Sequence, residues 1–567
     1  MRKLFLIFAF LGINALFAQP LQPVSHQVLN YIQVLFEGQM QQNAAYYHLY
    51  VWESDSLGFF SPTEKIAFKR QDSIPLFIVP QLHWGRHYRW LYTADDVLGK
   101  PIFVSDTAIF EIAKTEKIWF EKYQFNLLKN TQSRGYILVD GAKCVVNRAG
   151  EVQWIMPRYL RWKNKTLKGL IRDLRMTNAG TFTCTFITGE CVEFDKTGKI
   201  LWIAPNTGEI SKDTSELYHH DFRKLPNGNY MALGQSSRKM ALPKNIPLEA
   251  YKGAESITIQ GDTAYCTALF GNVIEYDAAG KVVWFWESRP YFRALYEKGL
   301  KAGSTHLNAF VQDSAGKYIY LSFRDLNMIA KLDKEKKEVV ATFGRSLYAA
   351  NEDRGNDLFV GQHGIELGKN GELITFDNES KTQKPSTALI LSQPLLSHEN
   401  TQILSGFSCK VDSLDDGKTS RSGSAEMLEN GNILIGMGGL GRIVEQRVAD
   451  SVRIWEMRCM HFDTVQKKIL PLPNYRCHFA PSMYPYLYRV VEKGAQHITI
   501  YNRGEMPDSY EIESQRATGE KISLLKSPVI VAGHSYTQMI RKGAAVVRIR
   551  SVHHPESIIV LKREAKP

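Results

Sequence analysis

Three histidines stand at matching distances from the turns that follow them. His220 and His363 each lie seven residues before the asparagine of an "NG" turn, and His306 lies seven residues before the aspartate of the turn "DSAG". In the similar segment "GSAEMLENGN" the matching position is Gly423. Residues at one register of repeated β units lie at one height around a common axis. The spacing therefore predicts that the three imidazoles converge on one site.

Arg324 and Asn308 are further polar residues close to this register. Arg324 follows the strand predicted after His306, in "YLSFRDLN", and Asn308 lies two residues beyond His306. A guanidinium presents a planar fork of donors to an oxyanion. Three imidazoles and an arginine, without a carboxylate in register, suit an anion better than a divalent cation, although a zinc site of histidines alone is an alternative. We expect no metal and no cofactor.

The elements that would position these residues are short aromatic or β-branched strands between polar turns, which predicts an all-β chain. One unit recurs: an apolar strand, a polar turn and a strand that ends in a large apolar residue. Six such units with this spacing predict a six-bladed β-propeller over residues 116–460. The units end at Trp154, Trp202, Trp284, Phe343, Ile403 and Trp455.

The flanks of the repeat are predicted to be separate β domains. Residues 24–115 contain "YYHLYVWES" and "HYRWLYTA", which alternate as the strands of a β-sandwich of fibronectin type III character do. Residues 461–567 contain "HITIYN" and "AAVVRIRS" and predict a small C-terminal β domain. The length of 567 residues accommodates three such domains.

Residues 1–18 have the pattern of a secretory signal peptide. Arg2 and Lys3 precede the apolar run Leu4–Phe17, and the small residue Ala18 follows. No later run is long enough to cross a bilayer. The sequence therefore predicts export to the periplasm or beyond the cell, with no membrane span.

The net charge of +12 is spread along the chain without a basic run, so we expect no nucleic-acid partner. A positive field is compatible with anionic small molecules and also with general solubility. The seven cysteines include no CxxC pair. Cys184 and Cys191 flank "TFITGE", and one interpretation is that they face each other across a hairpin as a disulfide.

The segments "HHDFRKLPNGN", "STHLNAFVQDSAGKYIYLSFRDLN" and "GQHGIELGKNGELITFDN", within an exported propeller, resemble the bacterial arylsulfate sulfotransferase family. The resemblance covers residues 120–460 and the N-terminal sandwich. It implies transfer of a sulfuryl group from an aryl sulfate to a phenol, with small-molecule partners and no nucleotide donor.

Carried over by position, the resemblance makes His363 the histidine that is transiently sulfated. It makes His220, His306 and Arg324 the residues that hold the sulfate oxygens. His219 lacks the shared spacing and is interpreted as a structural or surface residue. Neutral imidazole is a suitable nucleophile for such chemistry. Asn308 is a weaker candidate for substrate binding, and a flanking histidine is a candidate to take the phenolic proton.

Two segments are predicted to be partly helical and to overhang the channel mouth. They are residues 236–253 and 286–306, and the second offers Tyr291, Phe292 and Tyr296 as aromatic contacts for an aryl ring. A packing role for these loops is the alternative.

Two other functions remain open at this point. One is a non-catalytic propeller that binds anionic ligands or a protein partner. The other is a quinoprotein-like oxidoreductase, suggested by "GKILW" and "GKVVW" but lacking a clear calcium site. The sequence does not identify the natural donor or acceptor, and it leaves a homo-oligomer open.

Overall fold

The structure, a computed structural model, describes most of the chain. The described residues are 21–54, 66–114, 117–130, 134–248, 257–298, 303–344, 358–379, 382–393, 401–494 and 496–563. The predicted signal peptide lies outside them. The chain divides into two compact units, residues 1–120 and 121–567.

The first unit is built from two sheets around one aromatic core, and its strands pair antiparallel except for Gln27–Leu29 with Ala108–Ile112. The core includes the buried side chains of Phe36, Phe77, Trp90 and Tyr92. The likeness to fibronectin type III stays a prediction. The strands of the larger sheet are, in spatial order, Gln27–Leu29, Ala108–Ile112, His87–Asp95, Tyr46–Ser54 and Ile66–Asp72, with Pro101–Val104 also paired to His87–Asp95; those of the smaller sheet are Val34–Glu37 and Leu76–Val79.

The second unit begins near a short helix, Lys117–Lys122, and its described residues include six antiparallel sheets that follow one another along the chain. We number them sheets 1 to 6. From the inside outward, sheet 2 consists of Ile171–Met176, Phe182–Phe186, Cys191–Phe194 and Ile200–Ile203, and sheet 3 of Phe222–Lys224, Tyr230–Ala241, Thr263–Tyr276 and Val282–Glu287. Sheet 4 consists of Leu307–Gln312, Tyr318–Phe323, Met328–Asp333 and Glu338–Gly344, and sheet 5 of His363–Leu367, Leu373–Asp377, Thr387–Leu391 and Ile403–Ser408. Sheet 6 consists of Ser424–Met427, Asn432–Gly436, Arg442–Arg447 and Arg453–Asp463.

Further strands extend these sheets at their edges. Thr258–Gln260 pairs within sheet 3, and both Tyr123–Lys129 and Lys468–Pro471 pair with Arg453–Asp463 of sheet 6. A separate hairpin joins Leu160–Trp162 to Lys165–Leu167, and 3₁₀ turns cover Arg324–Leu326 and Gly438–Leu440.

Sheet 1 is assembled from both ends of the repeat region. Its strands Val152–Ile155, Cys144–Asn147 and Tyr136–Val139 are completed by the inner strand Cys477–Ala480. The first strands of sheets 4, 5 and 6 contact each other in succession, and Cys477–Ala480 contacts the first strands of sheets 6 and 2. The inner strands therefore surround one axis, and the predicted all-β fold with a propeller is confirmed. The repeat region continues to residue 480, beyond the predicted end at 460.

Residues after 480 form two further sheets around a shared core that includes Ile500, Tyr510 and Ile549. Their strands are Tyr488–Lys493, His497–Asn502 and Ser535–Met539 in one sheet, and Lys521–Lys526, Tyr510–Gln515, Val546–Ser551 and Ile558–Lys562 in the other.

The recurring tryptophans join neighbouring sheets. In three cases an indole Nε1–H on the fourth strand of one sheet donates to a backbone carbonyl in a turn of the next sheet. Because the last of these bonds links sheet 6 to sheet 1, it helps to close the ring. The pairs are Trp154 with Lys196 (2.7 Å), Trp284 with Lys334 (2.9 Å) and Trp455 with Arg148 (2.8 Å).

Replacing Trp455 by alanine is expected to lower the free energy of unfolding of the propeller by about 3–5 kcal/mol. The indole is fully buried, and the Arg148 guanidinium stacks on it while pairing with Glu445. A Trp455→Phe variant keeps a ring and loses the hydrogen bond, so it should cost less. Urea denaturation monitored by circular dichroism checks both, and equal losses for the two variants would contradict this account.

Several expectations about loops and cysteines are corrected. In the segment 236–253, which is predicted to be partly helical, residues 236–241 instead continue the strand Tyr230–Ala241 and residues 242–247 form turns, while residues 249–253 lie outside the described residues. A helix does form at Arg289–Glu297, but Phe292 and Tyr296 are buried in the core and do not face a channel mouth. The Tyr291 hydroxyl donates to the Lys337 carbonyl.

The predicted Cys184–Cys191 disulfide does not form. Cys184 pairs with Val192, and Thr185 pairs with Cys191. The two cysteines are therefore one residue out of register and point to opposite faces of the sheet. Both are free thiols in the structure. No helix among the described residues has the length and apolar character that a membrane crossing requires.

Candidate functional site

His363 begins the inner strand of sheet 5, and its side chain is fixed by two acceptors. Its Nδ1 atom lies 2.6 Å from Asn378 Oδ1 and 3.1 Å from the Gly361 carbonyl oxygen. Since both partners are oxygen acceptors, Nδ1 carries the hydrogen. The Nε2 atom of His363 therefore presents a lone pair. The residue is 3% exposed.

The orientation of the Asn378 amide is itself determined by its neighbours. Its Nδ2 donates to the carbonyl oxygens of Thr419 and Ser422, each at 2.9 Å. Two carbonyls can only accept, so Nδ2 must face them and Oδ1 must face the imidazole. This contact to His363 supports a single tautomer of the candidate nucleophile.

The other two predicted histidines lie together. The rings of His220 and His306 have centroids 5.1 Å apart, and both residues have positive φ angles, 65° and 55°. Nδ1 of His220 lies 2.8 Å from Nδ1 of His219, so these two rings share one hydrogen. Nδ1 of His306 lies 3.5 Å from the Asp325 carboxylate. His219, which the sequence analysis set aside, is thus a direct partner of the cluster.

Arg324 joins this cluster from the end of the second strand of sheet 4. Its Nη1 donates to Asp325 at 2.8 Å, and its Nη2 donates to the Ser420 carbonyl at 3.3 Å. Its Nε is buried and has no hydrogen-bond partner among the described residues. Its positive charge lowers the pKa of His363. Arg324 therefore contributes a fixed positive charge beside the candidate nucleophile.

Tyr475 links the two halves of the site. Its ring centroid lies 5.8 Å from that of His220 and 6.2 Å from that of His363. The guanidinium groups of Arg172 and Arg476 lie 5.3 and 5.1 Å from the same ring. Sequence reasoning missed Tyr475 and both arginines. The tyrosine gives the site an aromatic wall between two of its histidines.

Buried carboxylates fix Arg476 beneath the cluster. Its Nη1 lies 3.0 Å from Asp173 and 2.8 Å from Asp221, and all three side chains are almost fully buried. Its Nη2 donates to the Asn308 carbonyl at 2.8 Å. A buried charge that is paired on several sides is held in place strongly. This ionic network gives the site a rigid base.

Asn308 is buried next to the site, but its amide is partly committed. Its Nδ2 donates to the Gln362 carbonyl at 2.8 Å, while its Oδ1 has no partner among the described residues. The Nδ2 donor of Asn308, which was expected to bind substrate, therefore bonds Gln362, the residue before His363. Substrate contact by Asn308 stays a prediction.

The structure places His306 at a different position relative to its turn from the one that the sequence predicts. In three sheets a glycine N–H closes the first turn onto the carbonyl of Leu225, Asp313 or Gly368. Counted from these acceptors, His220 and His363 both lie five residues earlier. In sheet 4 that position belongs to Asn308, and His306 lies two residues further out. His306 nevertheless reaches His220.

His363, His219 and His220 are held neutral. Burial, together with the electrostatic effects of Arg324, His306 and Arg476, lowers the pKa of His363 to about 3, while the hydrogen bond that its Nδ1–H donates to Asn378 opposes the shift. Burial likewise lowers the pKa of His219 to about 3, and the pKa of His220 lies well below its usual value. Neutral imidazoles among arginines provide both nucleophile and donors for an anion.

Among the described residues no group of three or more His, Cys, Asp and Glu side chains is arranged to hold a metal ion. The four predicted residues that the structure brings into one cluster are His220, His306, Arg324 and His363. The residues added to it are His219, Asn378, Arg172 and Tyr475.

The chain is similar at low identity to several solved structures. A protein of unknown function from Bacteroides caccae is 12% identical, with 61% of this chain and 99% of that chain covered and a TM-score of 0.36. A streptogramin B lyase is 10% identical, with 64% and 100% covered and a TM-score of 0.33. The Swd1 β-propeller domain from Myceliophteria thermophila is 9% identical, with 58% and 92% covered and a TM-score of 0.27. No curated protein matches the sequence.

The sequence match that concerns the site covers part of the propeller and includes His306, Arg324 and His363. Residues 298–459 match the family model described as arylsulfotransferase (ASST), which confirms the resemblance to the bacterial arylsulfate sulfotransferase family.

Proposed function

We propose that the protein is an aryl sulfotransferase that moves a sulfuryl group from an aryl sulfate to a phenol through a sulfated His363. The observation that carries this proposal is the fixed tautomer of His363, with the hydrogen on Nδ1 and a lone pair on Nε2. The family match supports sulfuryl transfer between small molecules. The reaction needs a neutral nucleophile beside fixed cationic groups, and the site contains both.

In the first half-reaction, Nε2 of His363 attacks the sulfur of the aryl sulfate. The N–S bond forms and the S–O(aryl) bond breaks, and its electron pair leaves on the phenolate oxygen. Arg324, His220 and His306 hold the sulfuryl oxygens, which keep their negative charge throughout. Fixed donors of this kind contribute about 3–4 kcal/mol each to the transition state.

In the second half-reaction, a phenol replaces the first product. A flanking histidine takes the phenolic proton, the phenol oxygen attacks sulfur, and the N–S bond breaks with its electron pair returning to Nε2. The two flanking histidines, His306 and His220, have ring centroids 5.1 Å apart, and the pKa of His220 lies well below its usual value. The two half-reactions give ping-pong kinetics.

The test is an assay of purified protein with a chromogenic aryl sulfate and increasing concentrations of an unrelated phenol. We expect release of the donor phenol to depend on the acceptor, with parallel lines in double-reciprocal plots. The sulfated acceptor should appear in equal amount by mass spectrometry. If several donors give no turnover and yet bind, the non-catalytic anion-binding propeller is the better description.

The pH profile gives a separate prediction. Because the pKa of His363 is lowered to about 3, its Nε2 stays unprotonated well below neutral pH. The rate constant for sulfation of the enzyme should therefore stay nearly constant from pH 7 to about pH 5, where an imidazole of ordinary pKa, about 6.5, would be mostly protonated. Rapid-mixing measurement of the donor-phenol burst checks this. A tenfold loss between these pH values, with the fold intact by circular dichroism, would contradict it.

Location is a proposal from the sequence alone. The composition of residues 1–18 favours a cleaved signal peptide and a periplasmic or secreted enzyme. N-terminal sequencing of the protein recovered from cell fractions tests this, since an intact Met1 in the cytoplasmic fraction alone would oppose it.

A further inference from the structure

One short segment, residues 419–422, supports both the candidate nucleophile and the arginine beside it. The carbonyls of Thr419 and Ser422 orient the Asn378 amide, which in turn holds Nδ1 of His363. The carbonyl of Ser420, between them, accepts from Nη2 of Arg324. The two groups come from different sheets, yet both are positioned against the same four residues.

The segment is itself fixed by a buried hydroxyl pair. Ser386 Oγ accepts from the Thr419 backbone N–H at 3.0 Å and shares its hydrogen between the carbonyls of Asn378 and Thr419, at 3.0 and 3.2 Å. Thr419 Oγ1 donates to the Arg421 carbonyl and accepts from the Gly439 N–H. Asn378, Ser386 and Thr419 are all buried. Such satisfied networks are rigid.

We propose that Asn378 and residues 419–422 form one positioning unit that holds Nε2 of His363 and the guanidinium of Arg324 in a fixed relation to a sulfuryl group. This proposal rests on the proposed function, in which Nε2 is the attacking atom. Asn378 has its role through His363 and does not touch substrate. The orientation of the Arg324 guanidinium is fixed by the unit, because its Nη2 donates to the Ser420 carbonyl.

Loss of the unit should act on the chemistry more than on binding. Without Oδ1 of Asn378 the imidazole can rotate and can place its hydrogen on Nε2, which removes the attacking lone pair. Outer partners of functional histidines typically contribute about 10–100-fold. Misplacement of reacting atoms by about 1 Å costs on the order of 10²-fold.

The experiment compares Asn378→Ala and Asn378→Asp with the exposed turn variant Asn370→Asp as the matched control. We expect Asn378→Ala to slow sulfation of His363 by about 10–100-fold, with a donor KM changed by less than about 3-fold. The control should leave both unchanged. An Asn378→Ala enzyme with the wild-type sulfation rate would overturn the proposal.

Asn378→Asp provides a readout that a purely structural role would not move. One carboxylate oxygen can still accept from Nδ1–H, but the other replaces the Nδ2 donor that faces the carbonyls of Thr419 and Ser422. The rate at neutral pH should therefore lie between that of wild type and that of Asn378→Ala. The negative charge of this carboxylate opposes the charges of Arg324, His306 and Arg476, which face His363 together with the Tyr475 and His220 rings. The acid limb of the sulfation rate should therefore move to higher pH. An unmoved limb in a folded variant would overturn the proposal.

Neutron diffraction from crystals of the wild-type protein tests the positioning unit directly. The measurement requires neither turnover nor a variant that folds. Deuterium on Nδ1 of His363 and on the Asn378 nitrogen that faces Thr419 supports the unit. Deuterium on Nε2 in place of Nδ1 overturns it. If the deuterium lies on Nδ1 but no aryl sulfate is turned over, the proposed function fails and the positioning of His363 stands.

Discussion

The His363→Asn variant is expected to lose aryl sulfate turnover by roughly 10⁴-fold or more, the scale that follows removal of a covalent nucleophile. An amide nitrogen has no available lone pair, so neither the N–S bond nor the intermediate can form. The substitution keeps a polar side chain of smaller volume in the buried position beside Asn378.

The matched control for this variant is His497→Asn. His497 is an exposed residue at the start of a strand in the C-terminal sheets, and it should tolerate the change. Comparison of kcat/KM for the three proteins, each with an intact thermal transition, decides the result. A His363→Asn enzyme that retains more than about a tenth of wild-type activity would show that another residue is the nucleophile.

The second large effect is expected at Arg324. Replacing it by methionine removes a fixed cationic donor next to the transferred group, and we expect kcat/KM to fall by about 10²–10³-fold. The side chain is 24% exposed and its Nη1 and Nη2 are fixed by Asp325 and the Ser420 carbonyl, so the substitution removes a positioned cationic group.

An Arg324→Lys variant separates charge from geometry. Lysine restores a single positive charge but not the planar fork. It should recover only part of the activity, because it cannot bond the Ser420 carbonyl and a sulfuryl oxygen in the same geometry. Arg447→Met, at an exposed arginine paired with Asp450, is the control and should keep wild-type kcat/KM. Full activity in Arg324→Met would remove this residue from the account.

The repeated hairpins could be predicted from the sequence because their signals are local. Apolar strands and polar turns recur in all six units, and four of the units end in a tryptophan, as at Trp154 and Trp455. The register of His220 and His363 was also local, since both precede an "NG" turn. In "DSAG", however, Asp313 takes the first position of the turn and not the third. The prediction therefore placed His306 where Asn308 lies.

The remainder of the site could not be predicted because it depends on contacts distant in sequence. Tyr475 and Arg476 lie beyond the predicted end of the propeller at residue 460. They reach the site because Cys477–Ala480 returns to pair with Tyr136–Val139. No local sequence pattern predicts that a strand near the end of the repeat region will complete its first sheet. Asn378 meets His363 only through the pairing of two strands, and His219 is identified only by its contact to His220.

Trapping the sulfated intermediate tests most directly whether the sulfuryl group passes through His363. The protein is incubated with an aryl sulfate in the absence of a phenol acceptor, quenched at alkaline pH and examined by peptide mass spectrometry. We expect one sulfuryl group on the peptide that contains His363, matched by one donor phenol released per site, and we expect the group to be lost when a phenol is added. Release of donor phenol with an unmodified His363, or with the sulfuryl group on another residue, would contradict it.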